Sequence, residues 1–141
     1  MPIVWRNAFS IGDPSIDANH RHLLVLINAV ENVLKIEQPL SLLLTALDEL
    51  EAYTREHFAR EELLMINLQY ARYDGHKAAH LELIEQLNDA AKPIRELGDG
   101  ASQSTLAVPE DVRDNLIGLI RHWLVDHIIK EDMLLKPLLS V

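Results

Sequence analysis

Residues 40–67 read LSLLLTALDELEAYTREHFAREELLMIN, and the order of side chains in this stretch decides the fold. Leu43, Leu47, Leu50, His57, Glu61, Leu64 and Leu68 recur at steps of three and four, with Thr54 filling the one longer gap. An α-helix turns by about 100° per residue, so these side chains lie along one face. That face is apolar except where a histidine and a glutamate, both metal-ligand types, interrupt it.

Three further segments repeat the design. From residue 17 to 37 the stripe is His20, Leu23, Ile27, Val30 and Leu34, with Asp17 as the expected N-cap. From about residue 71 or 74 to 97 it is Tyr73, His76, His80, Ile84, Leu87, Ala91 and Ile94, and Pro93 is expected to kink or end the helix. From 110 to 135 it is Val112, Leu116, Ile120, Trp123, His127 and Leu134, opened by Pro109. Pro39 separates the first two helices, and GDGASQSTLAVP (98–109) is the one loop-like stretch. No run alternates with period two. These patterns predict an all-α, up-down-up-down four-helix bundle behind an irregular N-terminal arm (residues 1–16, with Pro2, Gly12 and Pro14), forming one domain over residues 1–141.

Composition narrows the function. The 141 residues carry a net charge of −9, which argues against nucleic acid as a partner, because phosphate neutralisation needs a basic surface. The absence of Cys removes disulfides, thiolate metal sites and thiol nucleophiles. No basic-then-apolar leader and no long apolar run are present, so a cytoplasmic protein with no membrane insertion is expected. What stands out is the set of seven histidines.

Five of those histidines and one glutamate fall on the inward stripes. A single inward histidine is more often a hydrogen-bonded core residue than a ligand. Six such groups on four facing stripes are costly unless a metal ion satisfies them together. His57–Glu61 and His76–His80 are both i, i+4 pairs, able to reach one site. HKAAH (76–80) has Lys77 where a zinc protease needs glutamate, and no Glu-x-x-His pair of the ferritin-like kind is present. On the fourth helix, bare geometry pairs His127 with Glu131 at i+4 and puts Asp132 about 140° away. His22, His122 and Glu62 read as surface groups, His122 pairing with Asp126, and Phe58 and Trp123 read as core packing.

IDANHRHLLVLIN (16–28), HFAREELLM (57–65), HKAAH (76–80) and WLVDHIIKED (123–132) together resemble the hemerythrin family in its single-domain bacterial form. The similarity runs from Trp5 to Asp132. The resemblance implies a four-helix bundle with a non-haem di-iron site, two Fe2+/Fe3+ ions joined by an oxo or hydroxo bridge. Matched motif by motif, it implies His20, His57, Glu61, His76, His80, His127 and Asp132 as ligands, and so favours Asp132 over Glu131. A local widening of the fourth helix toward i→i+5 geometry would bring Asp132 round. Two positions depart from the family: Asn19 and Arg21 flank His20 where relatives have Gln and Lys, and Ala71 follows Tyr70 where relatives often have Pro.

The resemblance further implies that His76, His80 and His127 hold one iron and His20 and His57 the other, with Glu61 and Asp132 bridging. One position then stays open on the second iron, facing apolar side chains. The function implied is reversible O2 binding for storage, transport or delivery by a monomer that is not an enzyme, with an oxygen-consuming enzyme as a recipient. The alternatives are an O2 or redox sensor, for which no fused output module is expected within these 141 residues, and a di-iron enzyme acting on peroxide or NO.

Overall fold

A computed structural model describes residues 2–36, 39–100 and 108–139. Four long helices dominate it: α1 (Pro14–Lys35), α2 (Leu40–Asn67), α3 (Tyr73–Gly100) and α4 (Glu110–Asp126). A π-helical turn (His127–Glu131) and a 3-10 turn (Asp132–Leu135) extend α4 into a short α5 (Lys136–Leu139). Consecutive helices pack side by side and α4 closes on α1, which is the predicted bundle. No strand occurs among the described residues, and no helix among them is long and apolar enough to cross a membrane.

The helix ends follow from local chemistry. α1 begins earlier than the sequence suggested: its N-cap is Asp13, whose carboxylate accepts from the Ile16 N–H at 3.0 Å, followed by Pro14 in the first turn. Asp17 instead fastens the arm, accepting from the Ile11 N–H at 2.9 Å and from the Ser10 hydroxyl. α2 stops where Gln69 turns left-handed at φ 54°, with the Tyr70 N–H bonded back to the Met65 carbonyl at 3.0 Å.

Pro93 does not end α3, which runs on to Gly100. Pro93 and Asp89 are both exposed, so the carbonyl that loses its N–H partner faces water, while Ala90, Ala91 and Ile94 hold the buried face. Of the predicted loop 98–109, residues 98–100 belong to α3 and 101–107 lie outside the described residues.

Two apolar clusters stack along the bundle. The larger is built from the stripes of all four helices, around Ile27, Leu50, Ile94 and Ile120. The smaller one, Ile11, Ile16, Met65 and Leu135, closes the end beside the arm. The ligand-type residues form the layer between them. Across the α1–α4 seam, Arg121 donates to the buried Glu31 through two hydrogen bonds of 2.6 and 2.8 Å, the bidentate geometry that makes such pairs strong. The arm is held by Asn28, which donates to the Ile3 carbonyl and accepts its N–H, and by Arg21 stacked 4.8 Å over the Trp5 ring.

The burial pattern sets a stability prediction. Ile94→Ala empties a fully buried site and should cost about 2–5 kcal/mol in urea unfolding. Val25→Ala, at a position 61% exposed, should change stability by no more than about 0.5 kcal/mol.

Candidate metal centre

All seven ligand-type residues come together in the layer between the two apolar clusters, and each is almost fully removed from water. α1 contributes His20, α2 contributes His57 and Glu61, and α3 contributes His76 and His80. The π turn contributes His127, and Asp132 follows it. The choice on the last helix is decided by that turn. Five residues wind at i→i+5 spacing from His127 to Glu131, which carries Asp132 inward to full burial and leaves Glu131 exposed.

The same turn corrects the lower stripe. Leu134, predicted inward, is 40% exposed, and Leu135 is fully buried in its place, because the widened turn takes up one extra residue.

The donor atoms divide into two groups that share both carboxylates. Glu61 Oε1 and Asp132 Oδ1 face His76, His80 and His127: His76 Nε2 lies 2.6 Å from Glu61 and 3.0 Å from Asp132, and His127 Nε2 lies 2.9 Å from Asp132. Glu61 Oε2 and Asp132 Oδ2 face the other pair: His57 Nε2 is 3.1 Å from Glu61 and His20 Nε2 is 2.9 Å from Asp132. One group therefore offers five donors and the other four, all within 4.8 Å of one another in each group.

Several features suit this layer to a metal. Glu61 Oε2 and both Asp132 oxygens accept no hydrogen bond although nitrogen atoms crowd them. The facing Nε2 atoms of His20 and His57 are 3.1 Å apart, and those of His80 and His127 are 3.0 Å apart. Imidazole nitrogens bound at about 2.1 Å, as on zinc, stand about 3.0 Å apart at a right angle and about 3.4 Å apart at a tetrahedral angle. Spacings of 3.0–3.1 Å would suit two nitrogens that share one cation, and they are also within reach of a ring N–H···N hydrogen bond.

Supporting groups fix the rings. His57 Nδ1–H donates to Asn19 at 3.2 Å, and Asn19 donates to the Tyr53 hydroxyl at 3.2 Å. His80 Nδ1–H donates to Glu62 at 3.0 Å, and Phe58 stacks on the His80 ring at 3.8 Å and 7°. Both bonds leave the Nε2 lone pair pointing into the site.

Glu62 is thus a partner of the site and not the solvated surface charge its sequence neighbourhood suggested, and Phe58 does more than fill the core. The signal was present in the i, i+4 pair 58–62, one residue out of step with 57–61. His22 and His122 are exposed; His22 meets the edge of Tyr53, while Asp126 pairs with Lys130 at 3.9 Å and not with His122.

Electrostatics describe what the cluster needs. Burial alone would lower the His20 pKa, but the Asp132 and Glu61 carboxylates override it and raise it to about 9. The same contest raises His76 to about 9 and His127 to about 10. His57 goes the other way, lowered by burial and by the neighbouring His20. Burial would raise Glu61 and Asp132, yet the surrounding imidazoles hold both below the usual carboxylate range. Without metal, the carboxylates favour protons on these imidazoles.

The comparisons agree with this geometry. The family model described as the hemerythrin HHE cation-binding domain matches residues 12–139, and the chain belongs to the hemerythrin family. It is 28% identical over 130 residues to a bacteriohemerythrin of Pseudomonas paraeruginosa, covering 92% of this chain and 76% of that one. A hemerythrin-like protein of Naegleria gruberi is 26% identical over 138 residues, covering 98% and 94%. The crystal structure of a wild-type hemerythrin superposes with a TM-score of 0.81 at 28% identity, over 100% of both chains.

Two outcomes follow. Asp132→Ala should lose stoichiometric binding of two metal ions per chain, read by elemental analysis, while Glu131→Ala keeps it. In the metal-free chain, the three raised imidazoles add stability that is complete below about pH 6.5 and lost as pH rises through 9 to 10. The depressed carboxylates add stability that is lost as pH falls below the ordinary carboxylate range. Urea midpoints of the metal-free chain should therefore fall from pH 6.5 to 10, and bound metal should remove most of that fall.

Proposed function

We propose that the chain binds two iron ions in this layer and uses them to bind O2 reversibly, as a cytoplasmic store or carrier that hands O2 to an oxygen-consuming enzyme. The reading rests on one observation above others: two donor groups of unequal size share two buried carboxylates. His76, His80 and His127 would hold one ion, His20 and His57 the other, with Glu61 and Asp132 spanning both. The smaller group, one donor short, would leave its ion a position for an exogenous ligand. Once bound, reduced iron supplies the electrons and the open position that O2 requires.

The protein supplies selectivity and restraint. The layer lies between two apolar clusters, so a small neutral molecule reaches it more readily than a charged reductant. Reversible binding also requires that no spare acid deliver protons to the ligand. Among the described residues, the buried carboxylates are Glu61, Asp132 and Glu31, and Glu31 is occupied by Arg121 on another part of the bundle. The buried hydroxyl of Thr54 donates to the Leu50 carbonyl at 2.7 Å, within its own helix. Among the described residues no further buried carboxylate stands beside the site to drive onward chemistry, and the unpartnered buried hydroxyl of Tyr70, whose ring lies 6.3 Å from His76, is a phenol and not a carboxylic acid; this favours a carrier over an oxidase.

Anaerobically reduced, iron-loaded protein should develop visible charge-transfer absorption when O2 is admitted and lose it when O2 is removed. His22→Ala should leave the spectrum unchanged. Irreversible bleaching with turnover of peroxide or NO would overturn the carrier reading in favour of an enzyme.

A further inference from the structure

The two donor groups are alike in their carboxylates but not in what stands behind their histidines. Each has one ring whose Nδ1–H is bonded within the bundle: His80 to the carboxylate of Glu62, and His57 to the neutral amide of Asn19. α2 supplies the Glu62 clamp from the turn that also carries His57 and Glu61. Phe58 fixes the plane of the His80 ring by stacking on it, and Glu62, four residues on, fixes the rotation of the ring within that plane. Glu62 retains partial exposure, with 20% of its side chain accessible.

We propose that Glu62 is a positioning residue that makes the three-histidine half the tighter-binding half of the centre, by holding His80 and increasing its donor strength, whereas Asn19 gives His57 orientation without charge. The physical basis is the carboxylate–histidine–metal arrangement. A carboxylate accepting the far N–H of a ligand imidazole pushes electron density toward the metal-bound nitrogen, and an amide in the same place does so much less. The inference rests on reading the layer as a two-metal centre, but it concerns which half holds metal more firmly and not whether O2 binds.

Co2+ tests it without iron, O2 or redox chemistry. The full chain is titrated with Co2+ in competition with a chelator, and the exchangeable, hyperfine-shifted ring N–H signals are followed by proton NMR. Outer partners of ligand histidines are worth about 10–100-fold in metal affinity, so Glu62→Ala should weaken the tighter of the parent chain's two Co2+ steps by about that factor, and weakening of the looser step alone would overturn the proposal. The same variant should make one ring N–H signal exchange rapidly. Glu62→Gln, which keeps an acceptor but no charge, should retain the signal and weaken the same step less. Asn19→Ala should act on the other step.

If Glu62→Ala and Glu62→Gln bind both Co2+ ions as tightly as the parent chain, the proposal is overturned, whatever O2 does. If one step weakens as described in a protein that fails to bind O2 reversibly, the positioning role stands and the carrier reading falls. Equal weakening of both steps would show a merely structural residue and would also overturn it.

Discussion

Glu61 and Asp132 are both excluded from water, and the rest of the molecule is arranged around that constraint. An isolated buried carboxylate costs several kcal/mol after every relaxation the protein can make. Here each oxygen pair is divided between two sets of imidazoles, so neither charge is answered by a single partner. Protons on His20, His76 and His127 answer the charges when metal is absent, and cations do so when it is present. The two buried carboxylates raise the pKa values of these three histidines despite burial, against the usual direction for a buried imidazole.

The constraint reaches into the backbone. A regular helix would carry Glu131 inward, four residues after His127, and set Asp132 off the site. The π turn spends one extra residue to reverse this, and its effect persists downstream as the exchange of Leu134 for Leu135 in the small apolar cluster. On the other helices no such adjustment is needed, because His57–Glu61 and His76–His80 already lie on one face at i, i+4. α2 goes further and presents two such pairs one residue apart: 57 and 61 enter the layer, while 58 and 62 brace the His80 ring from α3.

Much of this was legible in the sequence because burial and ligand placement share the helical period. The stripes of α1 and α3 are buried as their spacing indicated, from Leu23 to Leu34 and from His76 to Ile94. What was not legible involved departures from the period or choices between equivalent caps. Asp13 and Asp17 are both good N-caps, and only the arm, which requires Asp17 for Ser10 and Ile11, assigns them. The sequence marks Pro93 as a kink or an end of the helix, because spacing does not show that its side of α3 faces water. Glu62 was read as a surface charge because its partner, His80, lies 18 positions away on another helix. Spacing alone chose Glu131; Asp132 was reached through the family motif, and the π turn supplies its physical reason.

The account stands or falls on two ions sharing two carboxylates. The measurement that decides it is anomalous X-ray diffraction at the iron edge from crystals of the iron-loaded chain. It should show two separate iron peaks, one ringed by His76, His80 and His127 and one by His20 and His57, with Glu61 and Asp132 spanning both. A single peak at the centre of the cluster, or two peaks that do not share those carboxylates, would contradict it.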